Sequence, residues 1–472
     1  MYSMKGTEQN NGGGHHHDGR LRVVMFPWLG YGHVSPFLEL GKKLSLRNFE
    51  IYICSTPTTL EPVKKKLAAT TGADASVSFL ELTLPSSPEL PPHYHTTNGL
   101  PPHLMPLLKE AFDASRPAFA QLLRDIKPDL LVYDFLQPWA PQEAAELDIP
   151  AVEFISSSST MNCFMVQQFK QPGVKFPFPA IRYRDYELAK IAKENALTPS
   201  ERREKDKSRV RDCFARSCGL VLIKTFDEIE GQYSNCITTL TGKRIVPVGA
   251  LVQEPSKEDG ESEAIEWLNG KEEKSTVFVS FGSEYFLTKE DMTEIAHGLY
   301  LSNLNFFWVL RFPKGEDHDD LKQVLPEGFL EMVGDRGLVV KGWAPQAKIL
   351  EHPSIGGFVS HCGWSSVMEG MKYGVPIIAM PMHIDQPVNA KLAAEVGVAM
   401  EVVRDSNGKH CRDKIAAVIK VVVREEAGEG VRSKAVAMRE MLAEKGDKEI
   451  DRVAEELRKL CAKKEHDFTP IF

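Results

Sequence analysis

Several things are scarce in this chain, and each scarcity closes off a class of function. No apolar run approaches the roughly 18 residues that a bilayer-spanning helix needs, and the N-terminus carries no signal-peptide core, so the expected compartment is the cytoplasm. Basic residues are in the minority, with 57 Lys and Arg against 65 Asp and Glu and a formal net charge of −8. Such a field repels polyanions, and nucleic acid is not an expected partner. The eight cysteines, Cys54, Cys163, Cys213, Cys218, Cys236, Cys362, Cys411 and Cys461, show neither a CxxC pair nor a zinc-ligand spacing. Reduced, structural thiols are the expectation.

What the chain does have is alternation. Residues 1–20 read as a flexible tail in which His15 to His17 are solvated. From LRVVMF onward, apolar runs of strand length (EIYICS, VSFLEL, DLLVYD, PAVEFI, GLVLIKTF) are separated by stretches of helical spacing. This pattern predicts an α/β domain with a doubly wound parallel sheet over 21–250. A polar stretch, 251–264, reads as a linker. The alternation restarts over 265–450 with STVFVSFG, NFFWVLRF, GLVVKGW, GGFVSHCG and VPIIAMP, which predicts a second Rossmann-like domain. The charged helical end, 451–472, is expected to bridge back to the first domain.

Two open α/β domains in tandem bind ligands in the cleft facing the carboxyl ends of their strands. In PWLGYGHVSP the dinucleotide fingerprint GxGxxG is nearly written, but Ser35 stands in place of the third glycine, and EIYICST ends without an acid to hold a ribose. An oxidoreductase is therefore the weaker reading. The loop instead offers His33, a candidate general base, because imidazole accepts a proton near neutral pH; a surface or capping role is the alternative. Asp134 follows the apolar strand of DLLVYDFLQPWAP at the same sheet edge and could orient that imidazole, or simply cap a turn. A glycosidase would need a second carboxyl group beside Asp134, and none has a natural claim.

The richest signal is the block from Trp343 to Gln386, WAPQAKILEHPSIGGFVSHCGWSSVMEGMKYGVPIIAMPMHIDQ. It resembles the signature box of plant UDP-sugar-dependent glycosyltransferases that decorate small molecules, in length, order and nearly every diagnostic residue. The likeness extends more weakly over almost the whole chain. It implies a GT-B fold, two Rossmann-like domains facing across a cleft, with His33 as base and Asp134 as its partner. It also implies that Trp343 and Gln346 hold the uracil, that Ser283, His361, Ser365 and Ser366 serve the diphosphate, and that Trp364 belongs to the same UDP-sugar site, although without their neighbours Trp343 and Trp364 would read as core aromatics. Glu369 is implied for the ribose hydroxyls, and Asp385 and Gln386 for the transferred sugar, Gln386 pointing to glucose. Ser365 departs from the pattern, since family members usually carry Asn there, and the shorter hydroxyl is expected to lose a hydrogen bond near the diphosphate.

The function implied is an inverting transfer of glucose from UDP-glucose, with no metal and no other cofactor. The triplet Asp317, His318, Asp319 spells a DxD, but no strand feeds it, and it reads as a solvated acidic loop. The segments LPSSPELPPHYHTTNGLPPH, YDFLQPWAP and GVKFPFP are most similar to the branch that adds a sugar to an attached sugar. The expected acceptor is thus a terpenoid or flavonoid glycoside, with Phe135, Phe154 and Phe178 as candidates for its apolar part. Direct glucosylation of an aglycone and a non-catalytic UDP-sugar-binding protein are the alternatives. A monomer is expected.

Overall fold

The structure is a computed structural model, and it describes residues 19–70, 77–255, 263–283, 285–312 and 321–463. The histidines 15–17 and the triplet 317–319 lie outside the described residues. Seven short strands build the first sheet: β1 (Leu21–Phe26), β2 (Phe49–Ser55), β3 (Val77–Glu81), β4 (Leu130–Tyr133), β5 (Ala151–Ile155), β6 (Leu220–Ile223) and β7 (Arg244–Pro247). They lie in the order β3-β2-β1-β4-β5-β6-β7, every pair parallel. The second sheet has six strands: β8 (Thr276–Ser280), β9 (Asn305–Leu310), β10 (Gly337–Lys341), β11 (Ile355–Ser360), β12 (Ile377–Ala379) and β13 (Ala399–Glu401). Its order is β10-β9-β8-β11-β12-β13, again all parallel. Strand β13 and the helices Asp185–Leu197 and Ser200–Arg216 are additions to the elements read from the sequence.

Strands such as LLVY and TVFVS are apolar throughout because helices cover both faces of each sheet. Under one face of the first sheet Val23, Met25, Phe37, Ile51 and Phe154 pack together. Under the other face Val24, Phe26, Phe112, Phe119 and Trp139 do. In each sheet the chain reverses its winding direction once, between β1 and β4 and between β8 and β11. Those two switch points leave crevices at the carboxyl edge, and they set where ligands go.

Two differences from the sequence reading matter here. The first helix spans Tyr31–Ser45 and carries Pro36 inside it, so His33 sits in its first turn and not in a free loop. Packing of Val34 and Phe37 into the core outweighs the bond that Pro36 cannot donate. The stretch HLMPLLKEAFDASRPAFAQLLRDI, of helical spacing throughout, forms two helices, Met105–Ala114 and Arg116–Ile126, because Pro117 starts a new one.

The last described helix, Lys448–Lys463, returns to the first half of the chain. Ile450, Val453, Ala454 and Leu457 are buried in the cluster of β1 and β2, and Arg47 reaches Asp451 at 2.6 Å. Further links tie the halves together. Lys391 and Glu187 form a buried ion pair at 2.9 Å, Arg184 grips Glu401 with two nitrogens, and Tyr233 donates to Glu395 at 2.7 Å.

Candidate active site

Register places the first group. Phe26 of β1 pairs with Tyr133 of β4, so the residues just beyond each strand emerge side by side at the switch point. Asp134 is fully buried there. Its Oδ2 accepts the Trp28 N–H at 3.0 Å and lies 2.9 Å from His33 Nδ1, while Oδ1 accepts the Phe135 N–H at 2.8 Å. These contacts leave the carboxylate no freedom to turn away, and the imidazole is oriented by it. Ser156 Oγ, 3.3 Å from the same nitrogen, braces the ring from β5. The His33 side chain remains 22% exposed, and the Phe135 ring lies 5.4 Å from it.

The second group is arranged by the same logic. Ser280 of β8 pairs with Ser360 of β11, which brings the Phe281–Ser283 turn beside His361. The His361 ring is held between two glycines: a Cβ on Gly282 or on Gly363 would fall 2.6 Å from Nε2. Only glycine fits at either position, and Gly282 also has a φ of +79°. Burial, reinforced by His383, pushes the His361 imidazole down to about 3, so it stays neutral and offers a hydrogen bond, not a charge. The helix Trp364–Tyr373 starts immediately afterwards, and no side chain caps Gly363. Its first N–H groups thus point out of the turn as an anion-binding end.

Around that helix end Gln346, Ser366 and Glu369 come together. The Gln346 amide donates to Glu369 and reaches Ser366 Oγ at 3.4 Å. Trp343, two residues past β10, is 60% exposed, an accessible indole beside them in the chain. Asp385 stands at the start of the helix Gln386–Val396 and accepts from Asn389 at 2.8 Å. Burial raises its carboxyl above the usual range, and His33, across the cleft, acts on it in the opposite direction. The two crevices therefore face one another.

Some candidates lie elsewhere. Trp364 is buried, its indole N–H bonded to the Lys224 carbonyl at 2.6 Å, so the side chain locks the helix start to the first domain and belongs to the core. Phe154 is fully buried against Phe37, with ring centroids 4.7 Å apart, under the sheet and away from the cleft. Phe178 packs on Tyr233 at 4.4 Å, against the helix Asp227–Thr241. In each case the strand or helix face, which composition alone does not reveal, decides the outcome. Gln386 turns its amide onto its own turn, accepting from the Met382 and His383 N–H groups at 2.9 and 3.1 Å. Ser365 Oγ accepts a hydrogen bond of 2.9 Å from Lys224 Nζ, which reaches it from the other domain. Nothing in the residues around Lys224 marked it beforehand, since its partner is 141 positions away.

With the geometry in place, the comparisons decide the family. The profile of UDP-glucuronosyl and UDP-glucosyl transferases matches residues 243–430, and that of the glycosyltransferase N-terminal domain matches residues 20–253. The chain belongs to the UDP-glycosyltransferases. It is 50% identical over 453 residues to UDP-glucosyltransferase 29 of Panax ginseng, covering 95% of this chain and 99% of that one. It is 49% identical over 442 residues to the β-D-glucosyl crocetin β-1,6-glucosyltransferase of Gardenia jasminoides, covering 92% and 98%. The solved structure of Glycyrrhiza uralensis UGT73P12, complexed with glycyrrhetinic acid 3-O-monoglucuronide, shares the GT-B fold with a TM-score of 0.81 at 24% identity, over 94% of this chain and 97% of that chain. This UDP-glycosyltransferase is therefore a transferase with a UDP-sugar donor. No helix among its described residues is long and apolar enough to cross a membrane, and no group of three His, Cys, Asp or Glu among them could hold a metal ion.

Proposed function

We propose that the protein is an inverting glucosyltransferase that moves glucose from UDP-glucose to a sugar hydroxyl of a small-molecule glycoside. The observation that carries the reading is the His33–Asp134 pair, 2.9 Å apart and opening onto the cleft opposite the glycine-held His361. With Nδ1 committed to the carboxylate, Nε2 is the nitrogen that takes the acceptor proton. The acceptor oxygen then attacks the anomeric carbon in line, UDP leaves from the opposite side, and an α-linked donor gives a β-glucoside.

On the donor side, Trp343 stacks on the uracil, which Gln346 helps to hold, and Glu369 binds the ribose hydroxyls. Ser283, His361, Ser365 and Ser366 surround the diphosphate at the helix N-terminus. Asp385, with Gln386 once its amide leaves its own turn, takes the glucose hydroxyls, and Phe135 lies against the acceptor. The departing charge is met by N–H and O–H donors and needs no metal. The glycoside acceptor rests on the relatives, among them one named for extending glucosyl crocetin through a β-1,6 linkage. Cytoplasmic, monomeric operation fits this use.

The test is UDP release from UDP-glucose in the presence of a panel of glycosides and their aglycones, with product linkage read by NMR. Turnover confined to glycosides with β products supports the reading. Equal turnover of aglycones replaces the acceptor assignment, and an α product overturns the single displacement.

A further inference from the structure

Lys224 follows β6 at the carboxyl edge of the first sheet, and both its backbone and its side chain meet the start of the helix Trp364–Tyr373 in the second domain. Its carbonyl takes the Trp364 indole N–H at 2.6 Å, and its ammonium gives a hydrogen bond of 2.9 Å to Ser365 Oγ. The residue is 1% exposed. A lysine buried this far is ordinarily ion-paired, because an ammonium removed from water without a counter-charge is costly. Among the described residues, no carboxylate is within hydrogen-bonding distance. Glu369, from the same helix, and Glu39, from the helix Tyr31–Ser45, act on it only across space, and Glu39 already pairs with Lys42 at 2.8 Å. The hydroxyl of Ser365 is the one hydrogen-bond partner of Nζ among the described residues, so two of its three donors are left over.

We propose that Lys224 is a donor-positioning residue, an ammonium lent by the acceptor domain to the UDP diphosphate through and beside Ser365. It gives the helix N-terminus a full positive charge that a Ser alone lacks. The attraction strengthens as the bond to the glucose breaks and the β-phosphate of the departing UDP gains a further negative charge. Because the ammonium comes from the other domain, diphosphate binding and contact between the halves reinforce each other. Burial accounts for a second property: it pulls the Lys224 ammonium down to about 8, with Glu369 and Glu39 only partly offsetting it. A bound diphosphate raises it again.

The inference rests on the donor placement proposed above, and calorimetry separates the two. Wild-type protein is titrated with UDP and with uridine, and the UDP titration is repeated at pH 8.5 in buffers of different ionisation enthalpy. The expected result is proton uptake on binding UDP and none on binding uridine. Lys224→Met is expected to raise the UDP Kd by about tenfold or more, to leave the uridine Kd within about twofold, and to abolish the proton uptake. Lys224→Gln serves if the Met variant does not fold. Absence of proton uptake in the wild type, unchanged UDP affinity in the variants, or an equal loss for UDP and uridine each overturns the role of Lys224. Failure of the wild type to bind UDP overturns the donor placement itself.

Discussion

A histidine stands at the switch point of each half, one in the first turn of the helix after β1 and one directly after β11, where the two sheets reverse their winding. Their surroundings are opposite. His33 has a buried carboxylate on one nitrogen and a partly exposed ring. His361 has no carboxylate partner among the described residues, is squeezed between two glycines, and is held neutral by burial. Topology thus supplies a location, and the neighbours supply the chemistry: a carboxylate makes an imidazole a proton acceptor, and desolvation makes it a fixed neutral donor.

The sharpest way to break this contrast is to exchange the consequences. His33→Ala is expected to lower kcat by about 10²–10⁴-fold while the UDP Kd measured by calorimetry stays unchanged. A comparable loss in UDP affinity would mean that His33 serves the donor. Asp134→Asn is next, with a kcat loss of about 10²-fold or more, since the amide does not stabilise an imidazolium. The rate profile against pH should shift with it, and an unaltered profile would detach Asp134 from the proton transfer.

A third change concerns the aromatic candidates. Phe154→Ala is expected to cost about 3–5 kcal/mol of stability by urea unfolding, as a buried ring in the sheet core. Phe135→Ala should leave the midpoint nearly unchanged and raise KM for the acceptor. The glycine pair comes after it: Gly282→Ala places a methyl against His361 and forces alanine into a left-handed φ, costing about 1–2 kcal/mol or more, with weakened UDP binding.

The gentlest expectation is a pH effect. Burial depresses the folded-state value of His361 to about 3 from the ordinary 6.5 of an imidazole. The unfolded chain therefore binds the extra proton between those limits, so stability is complete above about pH 6.5 and declines as pH falls toward 3. Unfolding midpoints measured at pH 7 and pH 5 should differ less in His361→Asn than in the wild type, by about 1 kcal/mol per pH unit at most.

The strand-helix alternation, the two halves and the signature block were legible along the chain, because apolar spacing and a contiguous motif are local properties. The places of His33 and Asp134 at one sheet edge were legible as well, since Asp134 directly follows a strand and His33 lies in the strand-to-helix connection after β1. His33 was read as a loop residue because the glycines around it are a strong local loop signal, and the burial of Val34 and Phe37 that draws it into the first helix depends on the distant sheet. Phe154 and Trp364 show the same limit. An aromatic residue next to a motif has one composition whether it faces a ligand or a core.

Sequence by itself determined that this chain folds as two parallel-sheet domains and carries the marks of a sugar-nucleotide transferase, since periodicity and short-range motifs are written residue by residue. Only the tertiary structure decided that Trp364 fastens the two domains, that glycines from separate turns confine His361, and that Lys224 answers Ser365 from 141 positions away. Those facts depend on which side chains are brought within a few ångströms when the two domains pack, and a desolvated charge or hydrogen bond has no meaning until its neighbours have arrived.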